Sequence, residues 1–419
     1  MTSTSTIHKS MAVTDVREEL TTKYSTKKFG MEYAGYLSNH LLHSVVALLE
    51  LGAPKEQIEA YAEQYAKEKL EATDYDHEDP FELAVAVDTG NAAVIPSAER
   101  VKELLGKRED FDALLAFYAH EVKLHGTDEA IHRHLPVMVG GLCGALLHGL
   151  IQLGYAYHIG GDRLITEGLA YFHFSYLSFE DKNDYNKTGE SLEKKQFTRD
   201  EALPLVHAVK NHEFVLSEMH KQLETKPFED LPIGIYQRNL NALSAHPERA
   251  SAAAFQAISS ALGQFDFTNI NGDVALDFSL WLYNMIEHSD FVIAHAVTSA
   301  WSLKQLEHLL GHDDRVRAWK VWFRVAVSAF IQQQVSDLSA EDICERAELE
   351  LSTLDSWTEI IGKALALEAT TDEHVYKVVQ VAHEHAGCST KSSFLTPEER
   401  EFVSRKAASK VISIPFQRP

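Results

Sequence analysis

The sequence predicts an all-α protein, a single large multi-helix bundle with a buried central helix. Three observations carry this. Apolar residues recur at three- and four-residue steps through most of the chain. Alternating strand patterns are scarce, and no βαβ unit emerges. The stretch Leu135–Tyr157, LPVMVGGLCGALLHGLIQLGYAY, contains no Asp, Glu, Lys or Arg. A bilayer span takes about 20 apolar residues, so length alone would suit a membrane helix. This stretch carries His148, Gln152 and several glycines, and its flanks show no basic asymmetry. It is therefore expected to be a helix apolar on all sides, enclosed by other helices.

Taken in order, residues 1–24 are expected to form a flexible arm, and one helical domain covers 25–390. Leu37, Leu41, Val45 and Leu48 mark its first amphipathic helix, and Ile58, Tyr61 and Tyr65 the next. Leu104, Phe111, Leu114, Leu115 and Tyr118 follow the same period, as do Ala300, Leu303, Leu306 and Leu310. Breaks fall at Leu51-Gly52-Ala53-Pro54, Ile159-Gly160-Gly161-Asp162 and Leu231-Pro232-Ile233-Gly234. The polar stretch Phe179–Gln196 reads as a surface loop or weak helix. Asp372 is placed to cap a helix. Thr396-Pro397-Glu398-Glu399 supplies a cap, a first-position proline and first-turn acids for a C-terminal helix within 391–419.

The chain has 419 residues, 45% of them hydrophobic and 24% charged, enough for a substantial core. With 39 basic against 62 acidic residues the net charge is −23, which disfavours nucleic acid and anionic membranes as partners. Three scattered cysteines and the lack of an apolar segment in the first twenty residues point to a cytoplasmic, reducing location. The sequon at Asn186–Thr188 then has no meaning.

Several common motifs are excluded. The Gly140-Gly141 and Gly144 cluster lacks the preceding strand a dinucleotide loop needs. No HExxH or GxSxG occurs, and Glu129–His132 is the sole ExxH, where a di-iron bundle needs two. The HxH pairs His132/His134 and His383/His385 point about 200° apart on a helix and are expected at the surface.

Four of the 22 histidines sit in apolar helical settings: His40, His148, His295 and His374. Taken singly, each reads as a satisfied core histidine. On four separate helices of one bundle they could instead converge, and bundle interiors build metal sites from facing helices. Imidazole suits iron, copper and zinc. Lys377 lies beside His374 at the shoulder of the face formed by Val375, Val378, Val379 and Ala382. Pattern alone favours a snorkelling lysine there. The alternative is a desolvated amine, its pKa lowered by burial, which reacts with carbon dioxide to give an anionic carbamate ligand.

The same residues carry a resemblance to the questin oxidase-like family. The matching stretches are Asn39-His40 with the run to Leu51-Gly52-Ala53, His148-Gly149-Leu150-Ile151, Ala294-His295-Ala296-Val297-Thr298, and Asp372-Glu373-His374 with Lys377. The resemblance implies an all-helical fold and oxidation of polycyclic aromatic substrates, notably anthraquinones of polyketide pathways, by oxygen insertion or ring cleavage. Some relatives are non-haem iron enzymes with four histidines and a carboxylated lysine as ligands. Carried across, this gives His40, His148, His295, His374 and Lys377 around Fe(II), Lys377 also serving the chemistry. Other relatives are described as NADPH-dependent Baeyer–Villiger monooxygenases, although no nicotinamide or flavin loop is visible here. Gln152 stands where many fungal members have a second histidine, and His43 is outside the general pattern.

The expectation is an iron(II) oxygenase, mono- or dioxygenase, using dioxygen on a small aromatic molecule. His43 and Tyr155 are expected to act in catalysis, and Gln152, Thr298 and Trp301 to contact substrate or ligands. Trp281 and Tyr283 are expected to join Trp301 in lining a flat pocket. The rival readings are an NADPH-dependent monooxygenase without protein-bound metal and a helical scaffold with structural histidines.

Overall fold

In a computed structural model the chain is all-α, with short strands only. The structure describes residues 3–73, 79–86, 95–181, 184, 194–210, 212–225, 233–246, 250–333 and 337–417. The sequon, most of the polar stretch after Phe179, and Leu231-Pro232 lie outside them.

A single main hydrophobic core runs from Val16 to Val411. Four helices enclose its centre: Leu41–Glu50, His148–Ile159, Phe291–Leu306 and Glu373–Ala386. They pack on one another, and Asp162–Ser175 and Gly272–Met285 back them. Close approach is built into the sequence. A Cβ on Gly154 would stand 2.4 Å from the Cβ of Ser302, so glycine lets the His148 and His295 helices touch. Both expected caps form: Asp372 accepts from the His374 amide, and Thr396 and Glu399 make a capping box.

Three expectations are corrected. The N-terminal segment is no loose arm beside the core. It forms the helix Ser3–Lys23, whose Val16 and Leu20 are buried against the His43 helix and the 162–175 helix. Two well-spaced apolar side chains are enough to dock it, although its pattern is otherwise weakly amphipathic.

The uncharged stretch is not one helix. It divides into the end of Thr127–Met138, two 3-10 turns at Val139–Gly141 and Gly144–Leu147, and the helix His148–Ile159. At Gly144 a Cβ would meet the Ser175 carbonyl oxygen at 1.4 Å, so the glycine serves chain crossing rather than cofactor binding. Among the described residues no helix is long and apolar enough to cross a membrane.

Leu37 belongs to no helix. It sits in the two-residue strand Leu37–Ser38, antiparallel to Glu32–Tyr33, and is 41% exposed. Among the described residues two parallel pairs complete the strands, Lys195–Gln196 with Phe265–Asp266 and Ser289–Asp290 with Phe416–Gln417. The second brings the end of the chain beside the start of the His295 helix.

Candidate metal centre

The site begins with how each histidine is held. His40 is the N-cap residue of Leu41–Glu50, and its Nδ1 lies 2.5 Å from the Ser38 carbonyl oxygen. His148 opens its helix with Nδ1 2.5 Å from the Ala145 carbonyl oxygen. In the middle of a helix, His295 directs Nδ1 to the Phe291 carbonyl oxygen at 2.8 Å. His374 sits in a first turn with Nδ1 2.7 Å from the Asp372 carboxylate. Carbonyls and carboxylates only accept, so each Nδ1 carries the proton and each Nε2 presents a bare lone pair.

All four lone pairs point to one place. The Nε2 atoms of His40 and His148 are 2.7 Å apart, and those of His295 and His374 are 3.1 Å apart. One ligand atom from each ring fits within a 4.8 Å span. The rings form a closed circuit, with centroids 4.5 Å apart for His40–His148, 4.8 Å for His148–His295, 4.7 Å for His295–His374 and 4.8 Å for His374–His40. The unprotonated Nε2 atoms of His40 and His148 cannot hydrogen-bond each other, and a buried polar atom without a partner costs about 1–3 kcal/mol. The donor set, four neutral imidazoles each braced at Nδ1, matches what a divalent transition metal takes.

Electrostatics disfavour the charged form of three of the rings, His40, His148 and His295. Burial holds His40 and His295 well below the ordinary imidazole range, with Lys377 and neighbouring imidazoles adding to the effect. His148 is pulled down to about 3, chiefly by burial and then by Lys377.

Lys377 is fully buried, and its Nζ finds no hydrogen-bond partner. The snorkelling alternative is thereby corrected, because the stem leads the amine inward. Burial pulls it down to about 7, against the opposing pull of Glu373 and Asp372. Glu373 is itself buried, holding Lys69 at 2.7 Å and standing 3.7 Å from His40 Nδ1.

His43 and Tyr155 lie beside the circuit. The His43 ring is 5.6 Å from His40 and 5.3 Å from Tyr155. Gln152 approaches His43, yet neither ring nitrogen completes a well-aligned hydrogen bond, and Gln152 Oε1 is likewise unpartnered. Tyr155 donates to Gln380 Oε1 at 2.7 Å, Gln380 donates to Glu384 at 2.6 Å, and Trp301 Nε1 donates to the other Glu384 oxygen at 2.7 Å. Trp301 packs on Tyr155 at 4.5 Å.

Other expected residues are placed elsewhere. The Thr298 hydroxyl is occupied by the Ala294 carbonyl of its own helix. Trp281 bonds to Asp342 and Tyr283 to Ser289, and both are buried in the core. Of the HxH pairs, His132 and His134 lie at or near the surface. His385 does not. It is buried against Asp277 at 2.6 Å, where Arg400 completes a charged cluster.

Sequence reasoning missed Phe291, whose ring is 4.7 Å from both His295 and His374. Its position four residues before His295 was the available signal. It also missed Asp372 as the partner of His374, legible as an Asp-x-His spacing at a helix start.

A crevice of about 10 Å³, room for one water, runs between Leu20, Tyr24, Asn39 and Leu42 to Gln152. Larger cavities, of about 260 and 530 Å³, lie away from the histidines.

Fold and site together define an all-helical protein whose core gathers four histidines and a lysine from distant parts of the chain. The chain belongs to the questin oxidase-like family, whose model matches residues 37–382. No match is found among curated proteins. Membership points to an oxidase or oxygenase acting on anthraquinone-type compounds.

Proposed function

We propose that the chain is a non-haem iron(II) oxygenase that acts on a hydroxylated, anthraquinone-like polycyclic polyketide by oxygen insertion or ring cleavage. The observation that carries this is the facing of four bare Nε2 lone pairs, each fixed by a hydrogen bond at Nδ1. His40, His148, His295 and His374 would hold the metal. Lys377 would join them as a carbamate, formed when its neutral amine attacks the carbon of carbon dioxide and releases a proton. Ferrous iron so bound supplies the binding and reduction of dioxygen.

The remaining residues prepare the substrate. A neutral His43 offers one N–H donor and one bare nitrogen acceptor, which suit a quinone carbonyl and the phenolic hydroxyl beside it. Gln152 Oε1 supplies a second acceptor. Tyr155 already donates to Gln380, so its oxygen has only acceptor capacity left to offer. Phe291 and Trp301 keep water out, which strengthens every polar contact inside. A three-ring substrate needs far more room than the crevice at Gln152 provides, so entry by that route would require the Leu20–Tyr24 side to move aside.

The test is metal analysis and oxygen uptake on the same preparation. The purified chain, loaded anaerobically with iron(II), is expected to hold about one iron. It should then consume oxygen with a dihydroxyanthraquinone as probe. Oxygen uptake that requires NADPH and proceeds in metal-free protein would overturn the proposal, as would a chain that takes up no iron.

A further inference from the structure

His148 depends on an unusual piece of backbone. The three residues before it, Ala145, Leu146 and Leu147, all have left-handed φ values, 48°, 53° and 69°. None is glycine, and for L-residues with side chains each such angle is sterically costly. The turn has a clear product. It aims the Ala145 carbonyl at His148 Nδ1, 2.5 Å away. That bond decides which nitrogen of His148 faces the other imidazoles.

One side chain from outside holds the turn. Gln237, in the helix Ile235–Leu243, accepts from the Leu146 amide through Oε1 at 2.5 Å. Its own amide is fixed by donation from Nε2 to Asn241 Oδ1 at 2.9 Å. Gln237 is buried. Within the turn the Leu147 amide makes a long bond to the Cys143 carbonyl, 3.4 Å, and the His148 amide donates to the Ala145 carbonyl.

We infer that Gln237 is a positioning residue for the metal centre: by clamping the left-handed turn it sets the tautomer and direction of His148. The inference rests on the cation-binding reading above. Gln237 touches no ligand nitrogen and acts through Leu146 and the Ala145 carbonyl. Losing a bond that orients a ligand costs metal affinity about 10- to 100-fold, even where the fold survives.

The experiment uses the full chain and cobalt(II) alone as probe, because its visible absorption reports ligand geometry. Wild type, Gln237→Leu and the double variant Gln237→Leu/Ala145→Gly are titrated against a competing chelator. The single variant is expected to bind cobalt at least tenfold more weakly, with an altered visible band. Glycine at 145 adopts the left-handed angle freely, so the double variant is expected to regain most of the affinity and the wild-type band.

A single variant that matches wild type in both readouts overturns the role, and so does a double variant as weak as the single. Should Gln237→Leu fail to fold, Gln237→Glu takes its place. It keeps an acceptor oxygen and is expected to bind within threefold of wild type, and a tenfold loss there overturns the inference. A wild-type chain that binds no cobalt sinks the metal centre itself, an outcome distinct from all of these.

Discussion

His40 and His148 face one another through Nε2 atoms 2.7 Å apart, while each ring already spends its one proton on a backbone carbonyl. His295 and His374 face one another in the same way at 3.1 Å, and the proposed function places a cation between the four rings. Stability should therefore depend on metal. At a free concentration one hundred times Kd, a bound ion adds about 2.7 kcal/mol. Thermal unfolding with iron(II) and with excess chelator should differ accordingly, and the difference should vanish in His148→Ala. Equal melting curves for the wild type would count against the site.

Lys377→Met separates binding from folding. The amine is buried without a partner, so an apolar side chain of similar length should leave the metal-free protein as stable as wild type or more stable, by about 1–3 kcal/mol. Metal uptake should drop sharply. Chemical denaturation in chelator, set beside metal titration, measures both. A variant that is destabilised yet binds metal normally would assign Lys377 a packing role.

His43→Leu should spare metal and lose chemistry. Neither His43 nitrogen is well bonded, so removing them leaves no orphaned partner behind. Hydrogen-bond and proton-transfer groups of this kind contribute roughly 10²–10⁴-fold to rate. Oxygen uptake with the dihydroxyanthraquinone should fall by at least tenfold at unchanged iron content. Unchanged turnover would remove His43 from the mechanism.

A pH effect is expected at the start of the His295 helix. His288 is hydrogen-bonded to Asp290 and Asp337, and these carboxylates raise its pKa above the ordinary value in spite of partial burial. A histidine raised in the folded state stabilises fully below the unfolded value, about 6.5, and the contribution fades as pH rises through the folded value. The stability gap between wild type and His288→Gln should thus be wider near pH 6 than near pH 9. Urea midpoints at the two values measure it, and a gap that widens with pH would contradict the assignment.

Gly154→Ala should loosen the contact between the His148 and His295 helices. The added methyl meets the Ser302 Cα at 2.6 Å, against backbone that cannot yield cheaply. Overpacking of this kind costs about 1–3 kcal/mol. Denaturation of the metal-free variant should show it, whereas a neutral result would mean that the helices part easily.

Much of this protein was legible before any coordinates. Helical period and cap chemistry announced the bundle, and Thr396-Pro397 marked its last helix. The four converging histidines stood out because imidazoles in apolar helical faces need a reason to be there. The break in the uncharged stretch was hidden, since apolar composition does not distinguish one long helix from two joined by a turn. The turn at Ala145–Leu147 uses side-chain residues where local rules expect glycine. The role of Trp281 and Tyr283 was not legible, because helical spacing cannot tell an aromatic that packs from one that lines a cavity. Gln237 and Gln380 carried no local signal, because their partners are brought near only by tertiary structure.

The circuit of imidazoles draws its members from positions 40, 148, 295 and 374, so its span covers most of the chain. No shorter fragment contains it. During synthesis the first two histidines leave the ribosome long before the last two, and no partial product can assemble the ring. On the proposed function, loading with an ion would thus be a step of the mature protein, and the cell's supply of free metal at the end of folding, rather than during translation, would set how much active material accumulates.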